Sequence, residues 1–405
     1  MKPSQRLLVL LFSGTAALRG GGFFDTLDDK TRFDSDALGL HADLSFMTDA
    51  TLYVPELPAQ GLLTSDDHVF FVPRLMTFFD AQMGDRLTLH TQMRADRGFD
   101  PGAVPDGDVR LDEYYLQGRI LRDDDLNVRV GKFGTAFGSW AKRSLSWNNP
   151  FVTAPMAYED VLTVSDRKLA PSGVKFAQRR DLPDNKTNWL PILWGPAYTT
   201  GLSVSDRIDW VEYAFEVKNA SISSSPEVWD AAQVGFPTNP TFTGRVGLRP
   251  APEWSLGTSV SHGTYLQDST ASLLPVGSSV NDFTQTTWGI DAGYEHGRWQ
   301  IWSELIGTRF EVPWVGALEA VSGFVEAKYK ITADLWTAFR WNQAAFGDVP
   351  GLDISWDRNG WRSDIAFGWR VSENIQTKLQ YSLGDKSGRE PEGNHLGALQ
   401  LIMKF

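Results

Sequence analysis

Apolar and polar residues alternate along most of this 405-residue chain. Within residues 86–95, Leu87, Leu89, Thr91, Met93 and Ala95 fall on one face, and Arg86, Thr88, His90, Gln92 and Arg94 on the other. An extended strand places two such sets on opposite sides of a sheet. The same split recurs at Leu38/Leu40/Ala42/Leu44/Phe46, Val211/Tyr213/Phe215/Val217, Ile365/Phe367/Trp369/Val371 and Ile375/Thr377/Leu379/Tyr381/Leu383. Soluble sheets use strands of about five or six residues. These runs are about ten long, the length that crosses a bilayer at a tilt. In lipid an open sheet edge leaves backbone groups unpaired, so such strands have to close on themselves. The pattern predicts an all-β, transmembrane, antiparallel up-and-down β-barrel.

Sixteen strands are expected, near 38–47, 69–82, 86–96, 109–121, 126–134, 198–205, 209–219, 241–250, 254–263, 284–295, 298–310, 319–331, 334–343, 361–371, 374–383 and 395–405. Short joints of turn-forming residues, such as Met83-Gly84-Asp85, His296-Gly297 and Ser372-Glu373-Asn374, separate one member of each pair from the next. Long connections fill the other positions, so short and long alternate throughout. An even count leaves both termini at the short-turn end. An 18-stranded variant arises if Val174–Gln178 and its neighbours add a pair.

The amino terminus reads as an export signal. Lys2 and Arg6 precede the apolar run Leu7–Phe12, followed by the small residues Ser13-Gly14-Thr15-Ala16-Ala17. A buried amphipathic helix is the alternative, but residues 7–12 are apolar on every face. Cleavage is expected after Ala17, although Arg19 makes the site ambiguous; residues 1–19 are assigned to the signal, 20–37 to a periplasmic segment and 38–405 to the barrel. No cysteine follows the apolar run, so no lipid is expected there. The expected location is the bacterial outer membrane.

The last strand, His395–Phe405, carries Leu399, Leu401, Met403 and Phe405 on one face. It resembles the terminal strand of bacterial outer-membrane proteins, which end in an aromatic residue read by the barrel-assembly machinery. Phe405 is thereby the implied insertion signal. The segment Leu126–Phe133 followed by Phe137-Gly138 resembles the phosphate-selective porin-like (O/P type) family, as do the paired strands Gly201–Ser205 and Tyr213–Asn219. The lysine-rich strings of phosphate-selective members are absent, so the resemblance implies the porin architecture rather than phosphate as solute. It also implies passage of small polar or anionic solutes, and a homotrimer, common among porins.

One connection differs from the rest. Residues 134–197 form the third outer loop and hold four of the 16 tryptophans and six of the 21 prolines. Loops this long are functional or disordered, and disordered segments are poor in aromatics. Its net charge is +3, whereas the other seven outer loops are acidic. In general porins the third outer loop folds into the lumen and sets the constriction. By that analogy Lys142, Arg143, Arg167 and Lys168 are constriction candidates, and cations there would favour anions. A rigid outer lid is the alternative.

The inward phase assigns Arg86, His90, Arg94, Arg119, Arg129, Arg245, Arg340 and Arg370 as pore-lining candidates. Carboxylates such as Glu113, Glu216, Asp291, Glu304, Glu326 and Asp364 share that face. Acidic outer loops suit either solubility or divalent-cation bridging to lipopolysaccharide phosphates. Outward aromatics, including Trp254, Trp288, Tyr294, Trp299, Trp341 and Tyr381, suit the two interfacial girdles within outer-membrane lipid.

Composition narrows the function classes. The absence of cysteine excludes a disulfide scaffold, a covalent c-type haem and a thiol nucleophile. A net charge of −12 argues against nucleic acid as a partner. No metal motif, P-loop or nucleophile elbow accompanies the six histidines, and only Ser261-His262 merits a check as a hydrolase pair. No catalytic residue, metal or cofactor is expected. The expectation is a water-filled porin for passive diffusion of small polar solutes, with an anion bias. The alternative is a barrel sheathing a partner such as an outer-membrane cytochrome.

Overall fold

The computed structural model describes residues 31–35, 37, 39–98, 107–120, 126–235, 239–388 and 393–405. The proposed signal peptide, residues 1–19, lies outside them.

A short strand β1 (Arg32–Ser35) precedes sixteen barrel strands. These are β2 (Leu40–Pro55), β3 (Phe70–Met83), β4 (Leu87–Asp96), β5 (Asp108–Arg119), β6 (Asn127–Phe133), β7 (Thr199–Ile208), β8 (Val211–Lys218) and β9 (Thr241–Leu248). They continue with β10 (Trp254–Thr264), β11 (Thr284–His296), β12 (Trp299–Val312), β13 (Gly316–Lys330), β14 (Leu335–Phe346), β15 (Gly360–Arg370), β16 (Ile375–Lys386) and β17 (Asn394–Lys404). Each pairs antiparallel with the next, and β17 pairs with β2 to close the cylinder. The closing register, Lys404 with Met47, leaves the lower edge of β2 uncovered, and β1 folds back to pair with Leu40–Asp43 there. The chain thus protects an edge that would otherwise be bare.

Side chains sort by face as alternation requires. Leu89, Val130, Leu202, Phe215, Val260, Ile290, Phe339 and Leu379 are exposed on the outside, where lipid replaces water. Aromatic pairs band that surface: Trp254 with Tyr294 at 4.7 Å, Trp299 with Tyr329 at 4.8 Å, and Trp341 stacked on Trp361 at 5.1 Å. The turn Asp209-Trp210 joins β7 to β8 with only two residues, and Asp209 adopts φ +52°, the left-handed geometry that tight hairpins need.

The sixteen expected strands are present, and the eighteen-strand variant does not arise, because Gly173–Ala177 forms one helical turn capped by Ser172. Three expectations change. β2 runs eight residues beyond the expected end at 47, so Asp49 is an inward strand residue rather than an outer-loop acid. The strict alternation of short and long joints fails once: only Pro313-Trp314-Val315 link β12 to β13. Residues 20–37 are not wholly outside the sheet, since β1 belongs to it.

Candidate functional site

The long third loop, residues 134–198, lies inside the barrel. Inward side chains from successive strands bind its backbone. On β12, the Glu304 carboxylate accepts the N–H groups of Ser139 and Trp140, each at 2.7 Å, and the hydroxyl of Tyr158 at 2.5 Å. On β13, Glu326 pairs with Arg143 at 2.9 Å. On β14, Arg340 donates to Thr153 Oγ1 at 2.9 Å and Asn342 accepts the Met156 N–H at 3.1 Å. On β15, Arg362 pairs with Glu159 at 2.6 Å. On β16, the Lys378 ammonium donates to the carbonyls of Ser146, Asn149 and Phe151 at 2.7–3.0 Å, while Gln380 accepts the Val152 N–H at 2.6 Å. On β2, Asp49 accepts from Ser146 at 2.5 Å. A loop without regular structure has many backbone groups to satisfy once it is buried. These side chains satisfy them, so the loop lies flat against the β12–β16 wall.

The same contacts tune the loop's acids. Burial, reinforced by the Glu304 carboxylate, pushes the Tyr158 hydroxyl well up from its ordinary value. Burial also raises Glu159, although the Arg362 guanidinium opposes it. Gly138 shows how closely the loop approaches the wall. It adopts φ +68°, and a Cβ there would stand 2.6 Å from the Tyr158 hydroxyl oxygen.

Towards the long-loop end the interior is apolar. Ile306, Phe310, Leu318, Ala320 and Phe324 on β12 and β13 face inward and join Trp140, Leu162, Leu193, Trp194 and Phe176 of the loop in one core. Trp229 and Tyr265 of the next two outer loops complete it. These strands are therefore covered on both faces, like central strands of a sandwich. The purely polar interior expected from alternation does not hold in this sector.

Space remains on the opposite side. A cavity of about 690 Å³ lies between the loop and β4–β9. Gln92, Gln117, Asn127, Ser203, Ser205 and Tyr213 line it, together with Arg119, Arg129, Lys142, Arg207 and Arg245 against Glu113, Asp206, Glu212 and Glu216. A second space of about 200 Å³ lies between the loop's two legs and β2–β3, and the two share Pro196 in their linings.

The cavity's carboxylates are engaged. Glu113 accepts the Gly134 N–H at 2.7 Å. Glu216 accepts the Ala136 N–H at 3.1 Å and lies 3.7 Å from Lys218. Glu212 pairs with Arg249 at 2.6 Å, and Asp206 accepts the N–H of Arg207. Among the cations, Arg245 is bound in bidentate fashion by Asp291. Burial, and next the Arg245 guanidinium, lowers the Lys142 ammonium from its ordinary value.

The residues singled out in the sequence divide accordingly. Arg119, Arg129, Arg245 and Lys142 line the cavity. His90 is held by Asp80 at 2.7 Å and stacked on Tyr115, and Arg94 pairs with Asp112 at 2.6 Å. Arg370 faces inward beside Trp147. Arg86 belongs to the turn after β3 and is exposed at the rim rather than in the bore. Arg340 faces inward but has no exposed surface: Asp364, Glu326 and Thr153 enclose it, so it anchors the loop instead of lining the pore. Arg143 is likewise consumed by Glu326 and stacks over Trp302. Arg167 sits among the outer loops, paired with Glu227 at 2.9 Å, and neighbouring Lys168 is exposed. The loop's net charge is therefore a poor guide, since only Lys142 of its four candidates reaches the cavity. Ser261 and His262 point to opposite faces, Ser261 to Thr243 inside and His262 to Thr286 outside, and form no pair. Lys378, Gln380, Asn342 and Glu304 act as anchors that the pattern alone did not reveal as such. Their only sequence signal is an inward phase.

A closed sixteen-strand barrel whose long third loop enters the lumen has the architecture of bacterial outer-membrane porins. Solved structures of that kind superpose on nearly the whole chain. The anion-selective porin from Comamonas acidovorans matches at TM-score 0.56 with 9% identity, covering 90% of this chain and 100% of its own. OmpF of Salmonella typhi, solved with daunomycin, matches at 0.56 with 11% identity over 92% and 100%. The outer membrane channel DcaP of Acinetobacter baumannii matches at 0.53 with 15% identity over 92% and 99%. No protein family matches the chain, and no curated protein sequence matches it.

Proposed function

We propose that the protein is an outer-membrane porin, a channel and not an enzyme, through which small polar solutes diffuse passively. The observation that carries this reading is the polar cavity beside β4–β9, left open where the inner loop covers only the opposite wall. The loop acts as the constriction: it sets the width of the path, and its anchors keep it in place. Lys142 is its contribution to selectivity, with Arg119, Arg129 and Arg245 on the wall. The pore favours anions, because the cavity's carboxylates are spent on loop N–H groups and on lysine and arginine partners. The anion-selective Comamonas porin, similar in fold, supports that bias. The strand-and-glycine segment 126–138 supports kinship with the phosphate-selective porin-like family at the level of architecture. Residues 1–19 direct export, Phe405 is read by the assembly machinery, and the barrel assembles as a homotrimer in contact with lipid and lipopolysaccharide. A sheath around a cytochrome needs an empty lumen, and here the chain's own loop occupies it. Liposome swelling tests the reading. Purified barrel should admit small solutes such as arabinose and exclude large oligosaccharides, and liposomes that stay impermeable would refute it.

A further inference from the structure

Two cavities adjoin among the outer loops, and none of their lining belongs to β4–β9. One, of about 310 Å³, lies between residues 179–189 of the inner loop and the loop after β14. The other, of about 80 Å³, lies under the loop after β2, against the long-loop ends of β15 and β16. Pro58, Asp184 and Lys386 line both. Where the cavities meet, charge is matched: the Lys386 ammonium pairs with Asp160 at 3.1 Å and with Asp184 at 3.6 Å.

The two ends are not matched. At the larger cavity Arg179 and Arg180 follow one another in the short helical turn Gln178–Asp181. Arg179 donates to the carbonyls of Thr163 at 2.9 Å and Lys168 at 2.6 Å. Arg180 donates to the carbonyl and the hydroxyl of Ser355 at 2.8 and 3.2 Å. All four acceptors are neutral, and neither arginine has a carboxylate partner among the described residues. Burial lowers the Arg179 guanidinium from its ordinary value, and no acid offsets it. The adjacent Asp181 is engaged by Arg358 at 3.1 Å.

At the smaller cavity the sign reverses. Glu56 and Asp385 line it, and each carboxylate accepts only a backbone N–H, Glu56 from His395 at 3.2 Å and Asp385 from Gly393 at 3.3 Å. Neither has a cationic partner among the described residues. Arg358 ties the two ends together. It donates to the Arg180 carbonyl at 2.6 Å and to the carbonyl of Ser387, two residues after Asp385, at 2.9 Å. That sets the unmatched cations and acids roughly 10 Å apart, the length of about three extended residues. A half-buried charge gains most from a partner that replaces its lost hydration with a charge-assisted hydrogen bond. A ligand with opposite charges at its two ends meets that need at both.

We infer that this cleft binds a short zwitterionic peptide, its carboxylate against Arg179 and Arg180 and its ammonium against Glu56 and Asp385. The inference goes beyond the porin reading, since binding among the outer loops requires no conductance.

Isothermal titration of the whole barrel in detergent tests it with three probes: trialanine, N-acetyl-trialanine, which lacks the ammonium, and trialanine amide, which lacks the carboxylate. Each folded barrel would be verified by its heat-dependent gel shift. Trialanine should bind saturably, and each blocked form about tenfold more weakly, the order expected when a charge-assisted contact is lost. Arg179→Gln with Arg180→Gln should weaken trialanine about tenfold and leave the amide unchanged. Glu56→Gln with Asp385→Asn should weaken trialanine to a similar degree and leave the N-acetyl form unchanged. Lys168→Gln, in the same loop but outside the cleft, should match the wild type. The three probes decide the matter on the wild type alone, so a variant that fails to fold leaves the test standing. Absence of trialanine binding, or blocked forms that bind as tightly as trialanine, would overturn the site. So would equal weakening of all three peptides by both double variants, the mark of loosened loops. Weakening on blocking the carboxylate alone would reveal a plain anion site and overturn the zwitterion assignment.

Discussion

The ammonium of Lys378, on β16, donates to the carbonyl oxygen of Phe151, in the inner loop, at 3.0 Å. The carbonyls of Ser146 and Asn149 complete its cage, and almost none of the side chain is exposed. One strand residue thereby fixes the turn that presses the loop against the wall. Lys378→Met keeps the apolar stem and removes the donor. Three carbonyls then lose a charged partner, at about 1–3 kcal/mol each. The loop should leave the wall, and single-channel conductance should change by about twofold or become noisy, while the outward barrel surface stays intact. Unchanged, quiet conductance would show that the remaining anchors suffice.

Asp357, in the outer loop after β14, accepts the N–H of Thr163 at 2.8 Å and that of Arg358 at 2.7 Å. It thus joins that loop to the inner one. Burial pushes its carboxyl up to about 6, against the pull of nearby Lys386. The sign follows from linkage. In the opened loop Asp357 ionises near its ordinary value, while in the closed loop it holds its proton until about pH 6. The junction therefore weakens as pH rises from about 4 to about 6 and is tightest below that window, with about 2–3 kcal/mol at stake across it. Hydrogen exchange at the Thr163 amide, corrected for its intrinsic pH dependence, should show more opening at pH 7.5 than at pH 5. Asp357→Asn should flatten that difference.

Phe405 closes the barrel as well as ending it. Its N–H donates to the Phe46 carbonyl at 2.9 Å, its carbonyl accepts the Phe46 N–H at 2.6 Å, and the two rings stack at 5.4 Å. Removing Phe405 costs this last rung and the proposed assembly signal together. Phe405→Ala keeps the backbone rung and removes the ring. Both variants should lower the amount of folded barrel in the outer membrane, with the deletion more severe. Equal, wild-type levels would count against Phe405 as a signal.

The barrel was legible because lipid outside and polar contacts inside impose period two on every strand. Outward leucines, valines and tryptophans marked all sixteen. The end of β2 was not, because Thr48-Asp49-Ala50 looks like the start of a loop. Ser146, from far along the chain, and Arg74, across on β3, make a buried Asp49 tolerable. The three-residue link Pro313-Trp314-Val315 was hidden by strands longer than their alternating stretches. It relies on Trp314 at φ +65°, unusual for a bulky residue. The apolar interior was visible only as a defect: Leu305-Ile306 and Phe324-Val325 set apolar residues side by side, which places one of each pair inside. The anchors were illegible in principle. Lys378 and Phe151 are 227 residues apart, and nothing local at either position names the other. Charge counting over the third loop misled for the same reason, since Arg143 finds its acid on β13 and Arg167 pairs with Glu227 of the next outer loop as well as with its neighbour Asp166.

The central claim is that solutes pass along the β4–β9 side of the lumen, and thiol labelling tests it directly because the chain has no cysteine. Ser205 on β7 lines the cavity, whereas Ser382 on β16 faces inward beneath the loop with no exposed surface. Ser205→Cys and Ser382→Cys would be recorded in planar bilayers while a charged methanethiosulfonate reagent is added. Current through Ser205→Cys should fall on labelling, and Ser382→Cys should be untouched. Unaltered current through Ser205→Cys, or block of Ser382→Cys instead, would contradict the claim.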